Sequence, residues 1–347
     1  MWIELMWENS NCIFLKKLVA YRGKGDPAFP QFPSEMETKN LYTLPPDAVW
    51  LITGCSSGIG AGLATRLAKE TTNRVVATAR QVSALSYLED NSQKVLKLAL
   101  DVTSPAAIDE AFRKAVEHFG RVDVVVNNAG YTIMGDTETS TPLEARTLFD
   151  TNFWGAVEVT KRALGVMRDE NPKTGQRGGV IFFVSSMGGF VSTPGSAFYH
   201  ASKFAMEGFA ESVAKEMHLD WNIHFCILEP GGTTTEYLGR SFKMMGTRHP
   251  AYAAPDMPTN QMLALLDNKE IRKGFSSADD IARGMWELVT RGEKIPIRVP
   301  LGKDAWEAVV DEAGKVKEEL EALGPFSTSF GGSMGTEEKA ALGQLTQ

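Results

Sequence analysis

The chain predicts an α/β fold of the doubly wound kind, one parallel sheet with helices on both faces. Two observations carry that prediction. From residue 49 onward, short apolar runs alternate with amphipathic helical segments, and repeated β-α alternation builds a parallel sheet covered on both sides. The candidate strands are also continuously apolar, VIFFV at 180–184 being the plainest, as strands buried on both faces must be.

Composition sets the outer limits. A chain of 347 residues has room for one large α/β domain or two small ones. It is 43% apolar and 23% charged, enough to bury a core while staying soluble. Net charge is −7 with no basic block, which argues against nucleic acid as a partner. The three cysteines, Cys12, Cys55 and Cys226, suit neither zinc nor a disulfide framework and point to a reducing compartment. No apolar run reaches the ~18 residues of a membrane span, and Lys16 and Lys17 interrupt the run 12–20. The last four residues carry no lipidation or peroxisomal signal. The expected location is cytoplasmic.

The elements follow in order. Residues 1–46 place Pro27, Pro30, Pro33, Pro45 and Pro46 among Gly, Lys and Asp, the composition of an extended, flexible arm. The part before Met36 reads as dispensable for the fold. Strands are expected at 49–53, 74–79, 95–100, 123–127, 180–184 and 223–228, with a seventh at 295–299. Helices are expected at 60–69, 106–119, 143–167 and 198–217. In the second of these Ile108, Ala111, Phe112, Ala115 and Phe119 share one face. Between 235 and 275 the alternation stops. Met244, Met245, Tyr252, Met257 and Met262 mix there with Pro250, Pro255 and Pro258, as in an irregular, partly apolar cover. Ser277 with Asp280 three residues on reads as a capping box, and 303–323 as a last amphipathic helix. The tail 324–347 reads as disordered. Residues 47–323 would thus form a single domain.

Two motifs carry chemistry. Thr53-Gly54-Cys55-Ser56-Ser57-Gly58-Ile59-Gly60 joins the first strand to the first helix, where glycines let backbone N–H groups approach a pyrophosphate. Cys55 reads as a small filler there. Twenty residues later the second strand ends in Arg80 rather than a carboxylate, which favours NADP(H) over NAD(H) on charge. Ser56 and Ser57 could add hydroxyl contacts. The other motif is Tyr199-His200-Ala201-Ser202-Lys203, in which Tyr199 and Lys203 share a helix face. A cation beside a phenol favours its ionised form, so the pair is a plausible proton donor. The five histidines have no convergent spacing, and no metal is expected.

These stretches, with Asn127-Asn128-Ala129-Gly130 and Pro230-Gly231, resemble the short-chain dehydrogenase/reductase family in order and spacing. The likeness covers roughly residues 48–300. The glycine motif and the run from Tyr199 to Gly208 look most similar to the steroid and retinol dehydrogenase branch. The resemblance implies a single Rossmann-like domain in which Tyr199 exchanges a proton with the substrate. Lys203 would hold the nicotinamide ribose and lower the Tyr199 pKa. Ser186, thirteen residues before Tyr199, would hydrogen-bond the reacting oxygen, with Ser185 as the competing choice. Asn152 would anchor a water-linked proton relay to Lys203. Cofactor contacts would come from Gly54, Ser56, Ser57, Gly58, Ile59, Gly60 and Arg80. Asp101 and Val102 would sit at the adenine, and Asn128, Ala129 and Gly130 at the ribose. Pro230, Gly231 and either Thr233 or Thr235 would meet the carboxamide.

The expected activity is therefore an NADP(H)-dependent ketoreductase or alcohol dehydrogenase acting on a lipophilic carbonyl or alcohol. The methionines of the cover suit such a substrate as well as they suit ordinary core. A homodimer or homotetramer is implied. The alternatives are a non-redox epimerase, dehydratase or isomerase of the same fold, and an NADP(H)-binding sensor or scaffold.

Overall fold

In the computed structural model, residues 41–91, 93–234 and 241–332 are described, together with 335–336, 339–340 and 342–343 in the tail. Residues 1–40, most of the expected arm, lie outside the described residues, and so does Thr235.

Seven strands form one parallel sheet: β1 (Val49–Ile52), β2 (Arg74–Ala79), β3 (Val95–Ala99), β4 (Val124–Asn127), β6 (Gly179–Val184), β7 (Ile223–Pro230) and β11 (Arg298–Leu301). Their order is β11-β7-β6-β4-β1-β2-β3. The order in which strands are added reverses between β1 and β4, parallel neighbours that pair at Trp50↔Val124. Doubly wound folds bind ligands at such a switch point, beyond the carboxyl ends of the strands.

Side-chain alternation makes two cores. On one face Trp50 and Ile52 pack with Leu63, Leu67, Met285 and Leu288 from α1 (Gly58–Glu70) and α8 (Ala278–Thr290). On the other, Val49 and Leu51 meet Phe112, Val159, Ala163 and Ala210 from α2 (Pro105–Phe119), α4 (Gly155–Gly165) and α5 (Ala197–Glu216). The five residues expected on one face of α2 are all buried. Ser277 caps α8 through the expected box: its Oγ accepts the Asp280 N–H at 3.0 Å and Asp280 Oδ2 accepts the Ser277 N–H at 3.2 Å.

Four expectations need correction. The helix expected over 143–167 is α3 (Pro142–Phe149) and α4, joined by a π turn at Asp150–Trp154 and followed by another at Val166–Glu170. The seventh strand sits at Arg298–Leu301 rather than 295–299: its pairing with β7 begins at Arg298↔Ile227, and the edge position tolerates Pro300. The cover is more regular than its prolines suggested. It contains β9 (Phe242–Met244), α6 (Pro258–Asp267) and the short α7 (Lys269–Arg272). Pro258 starts α6 instead of breaking it, and β9 pairs with an unforeseen strand, β5 (Thr132–Met134). The small strands β8 (Thr233–Thr234) and β10 (Ser276–Ser277) pair likewise. Finally, α9 runs through Lys303–Ser327, beyond 323, and buries only Ala305. Trp306 and Leu320 on its apolar stripe are exposed.

Candidate active site

The glycine-rich turn and the NNAG stretch are welded together at the carboxyl ends of β1 and β4. Thr53 Oγ1 donates to the Val126 carbonyl at 3.1 Å and accepts the N–H groups of Asn128 and Ala129 at 2.9 and 3.0 Å. Asn128 Nδ2 donates to the carbonyls of Thr53 and Gly54 at 2.8 and 3.1 Å. Gly54 has φ +72°, and a Cβ there would lie 2.9 Å from Ala129 Cα. At Gly60 a Cβ would meet Asn128 Nδ2 at 2.5 Å. Ser57 stands at the N-cap of α1 yet makes no side-chain cap bond, so among the described residues its side chain leaves the first-turn N–H groups unclaimed. A bare helix N-terminus beside a cradle that admits no Cβ fits a dinucleotide pyrophosphate. Gly58 adopts φ +60°, Ser56 is exposed, and Ile59 is half-buried against the core. Cys55 is fully buried, and burial pushes its thiol up to about 12.

Arg80 follows β2 on the exposed surface. Asp101 follows β3, and its Oδ1 accepts both the N–H and the hydroxyl of Thr103, at 3.0 and 2.7 Å. The Thr103 N–H holds the Asp101 carboxyl below its usual range, with the Arg80 charge adding to the effect. Val102 is turned into the core, where a Cβ on Gly155 would meet its Cγ2 at 2.7 Å.

The tyrosine, lysine and asparagine converge. A Cβ on Gly130 would lie 3.1 Å from Asn152 Oδ1 and 3.7 Å from Lys203 Nζ. Asn152 occupies the π turn, a feature that often marks functional sites. Its Oδ1 accepts the Tyr131 N–H at 3.0 Å, and its Nδ2 donates to the Tyr131 carbonyl at 2.9 Å and Ser202 Oγ at 3.1 Å. Lys203 Nζ is buried, donates to the Val184 carbonyl at 2.8 Å, and lies 5.7 Å from the Tyr199 ring centroid. Burial pushes its pKa down to about 8, against an opposing pull from Glu207.

Tyr199 is half-buried overall, with its hydroxyl enclosed by Ser186 and Thr132. Burial raises its pKa, those two hydrogen bonds lower it, and the Glu207 charge raises it again. The net shift is upward, opposite in direction to the lowering expected from Lys203. The ammonium is directed at the Val184 carbonyl, and desolvation of the phenolate dominates.

Of the two serines, Ser186 reaches Tyr199. Its Oγ also accepts the Gly188 N–H at 3.0 Å. Ser185 Oγ instead donates to Glu207 Oε1 at 2.5 Å. His200 faces away from the hydroxyl: its Nδ1–H donates to the Gly188 carbonyl at 2.8 Å, and its Nε2 accepts the Thr193 N–H at 3.1 Å. Pro230, the last residue of β7, leads into a turn in which Gly231 N–H donates to the Leu301 carbonyl at 3.0 Å. Gly232 N–H donates to Asp304 Oδ2 at 2.7 Å, and Thr233 Oγ1 to the Gly231 carbonyl at 3.1 Å. Thr132, Glu207 and Asp304 escaped the sequence reading. Glu207 alone had a visible signal, lying one helical turn past Lys203.

Residues 48–246 match the short chain dehydrogenase family model, and the chain belongs to that family. It is 44% identical over 290 residues to oxidoreductase calM of Penicillium decumbens, covering 82% of this chain and 94% of the relative. Retinol dehydrogenase 8 of Bos taurus is 38% identical over 211 residues, 59% of this chain and 65% of that protein. A crystal structure of a short-chain dehydrogenase from Streptomyces avermitilis superposes with a TM-score of 0.71 at 31% identity, covering 81% of this chain and 99% of that one. The chain is thus an oxidoreductase of the short-chain family, similar to the retinol branch.

Proposed function

We propose that this chain uses NADP(H) to interconvert a carbonyl and a secondary alcohol, reducing a lipophilic or polycyclic ketone with Tyr199 as the general acid. The observation that carries the reading is the Tyr199 hydroxyl held between Ser186 and Thr132. The nicotinamide ring, when bound, supplies or accepts the hydride. The chain's own residues do the rest. Ser186 and Tyr199 polarise the carbonyl oxygen by hydrogen bonds. Tyr199, whose pKa is raised, stays protonated at neutral pH and can release its proton to the forming alkoxide. Lys203 and Asn152, meeting at Gly130, border the place where the cofactor ribose would lie and where the proton would be replenished.

Arg80 supports NADP(H), since an exposed guanidinium at the end of β2 can pair with a 2′-phosphate. Apolar walls support a lipophilic substrate: Ile133, Leu148 and Met245 cluster with Tyr131, Phe198 and Tyr199. Met245 comes from the cover. Pairing through the helices of Asn152 and Tyr199, in a cytoplasmic homo-oligomer, completes the reading. The test is purified protein with NADPH or NADH and a panel of ketones graded by polarity. Faster oxidation of NADPH, and faster turnover of the apolar ketones, are expected. Preference for NADH would remove Arg80 from its role.

A further inference from the structure

The segment leaving β6 is laced to α5 almost residue by residue. The Val184 carbonyl accepts from Lys203 Nζ, and Ser185 Oγ donates to Glu207. Ser186 bonds Tyr199, and the Gly188 carbonyl accepts from His200. Residues 199, 203 and 207 are spaced by four, so one helix stripe reaches three successive positions of the loop.

Glu207 is the least expected member of that stripe. It is buried, as is Glu229, and both bond Arg298 Nη1 from β11. Arg298 Nη2 donates to Glu211 at 3.2 Å. Three carboxylates therefore surround one guanidinium. A buried carboxylate is a weak source of stability, and a packed apolar side chain commonly does as well or better. What Glu207 provides is direction. Its Oε1 fixes the Ser185 hydroxyl, and a Cβ on Gly189 would collide with both Glu207 Oε1 and Ser185 Oγ.

We propose that Glu207 is a positioning residue: by holding Ser185 Oγ it fixes the backbone one residue before Ser186, and so sets where the Ser186 hydroxyl meets Tyr199. The inference rests on Tyr199 being the proton donor. Arg298 orients the carboxylate from the sheet edge, and Ser185 is the link between helix and loop. Lys203, Glu229 and Tyr199 are the other titratable groups that feel the Glu207 charge.

Ser185→Ala removes the link while leaving Glu207 its Arg298 partner. Hydrogen exchange on the full chain without ligand should then quicken in residues 184–193 and stay unchanged elsewhere. With NADPH and the best ketone of the panel, kcat should fall by about 10- to 100-fold, with KM for NADPH within about twofold. Arg298→Lys, at a half-exposed position, is a second variant that should move both readouts the same way by less. Wild-type kcat in both variants, or quickened exchange spread over the whole chain, overturns the proposal. If the unmodified protein turns over no ketone, the functional reading fails by itself, and local against global exchange still decides the clamp.

Discussion

Tyr199 and Lys203 respond to the same burial in opposite directions. The phenol is pushed up and the ammonium down to about 8, because each neutral form is favoured away from water. For Lys203 the sign has a measurable consequence. Folding lowers this pKa from 10.5, so between about 8 and 10.5 the unfolded chain binds more protons and stability rises with pH. Below about 8 the burial penalty is fully present. Lys203→Met should therefore be more stable than wild type at pH 7, by at most on the order of 3 kcal/mol, less what the unpartnered Val184 carbonyl takes back. Urea unfolding across the alkaline range should show the gap closing toward pH 10.5, and a flat gap would contradict the assignment. At Arg80 the expectation is a change of preference: Arg80→Asp should lose NADPH affinity and gain on NADH, read from the two kcat/KM values. The pairing of Tyr199 with Lys203 was legible because both lie on one helix. Ser186 was chosen over Ser185 by its spacing to Tyr199, but the bond to Glu207 that draws Ser185 away was not legible, since Glu207 lies on another element than the serines. Thr132 was hidden for the same reason.

At the scale of elements, periodicity was a sound guide wherever one face of a segment meets the core. The buried face of α2 and the capping box of α8 were both readable from local pattern. Ser277→Ala should lower stability by about 1 kcal/mol in chemical unfolding; no loss would mean that the cap is redundant. Local pattern failed where long-range pairing decides. The strand β5 is three residues long and exists through β9, more than a hundred positions away. The π turn at Asn152 interrupts a helix whose apolar spacing hardly changes, while the side chain of Asn152 turns to the Tyr131 backbone. Gly54 is a further check. With φ +72° and Ala129 Cα in the way, Gly54→Ala should weaken dinucleotide binding by more than tenfold in a fluorescence titration, since the crevice floor has to shift. Unchanged binding would show that the turn has slack.

For the molecule as a whole, the sheet order brings four loops from distant parts of the chain, those following β1, β4, β6 and β7, to one edge. Sequence motifs located those loops, but no motif could show that Asp304 ties the Pro230 turn to α9. Trp154 and Phe204 stand exposed beside Asn152 and Lys203, and large apolar side chains there suit an interface between copies. Trp154→Glu combined with Phe204→Glu should turn a dimer or tetramer into monomer by light scattering; a wild-type monomer at micromolar concentration would remove that proposal. The central claim is narrower and is tested most directly by NADPH oxidation with an apolar ketone, comparing wild type with Tyr199→Phe. The account expects steady turnover in wild type, and a loss of at least about a thousandfold in the variant with NADPH binding retained. Turnover by Tyr199→Phe near the wild-type rate would contradict it.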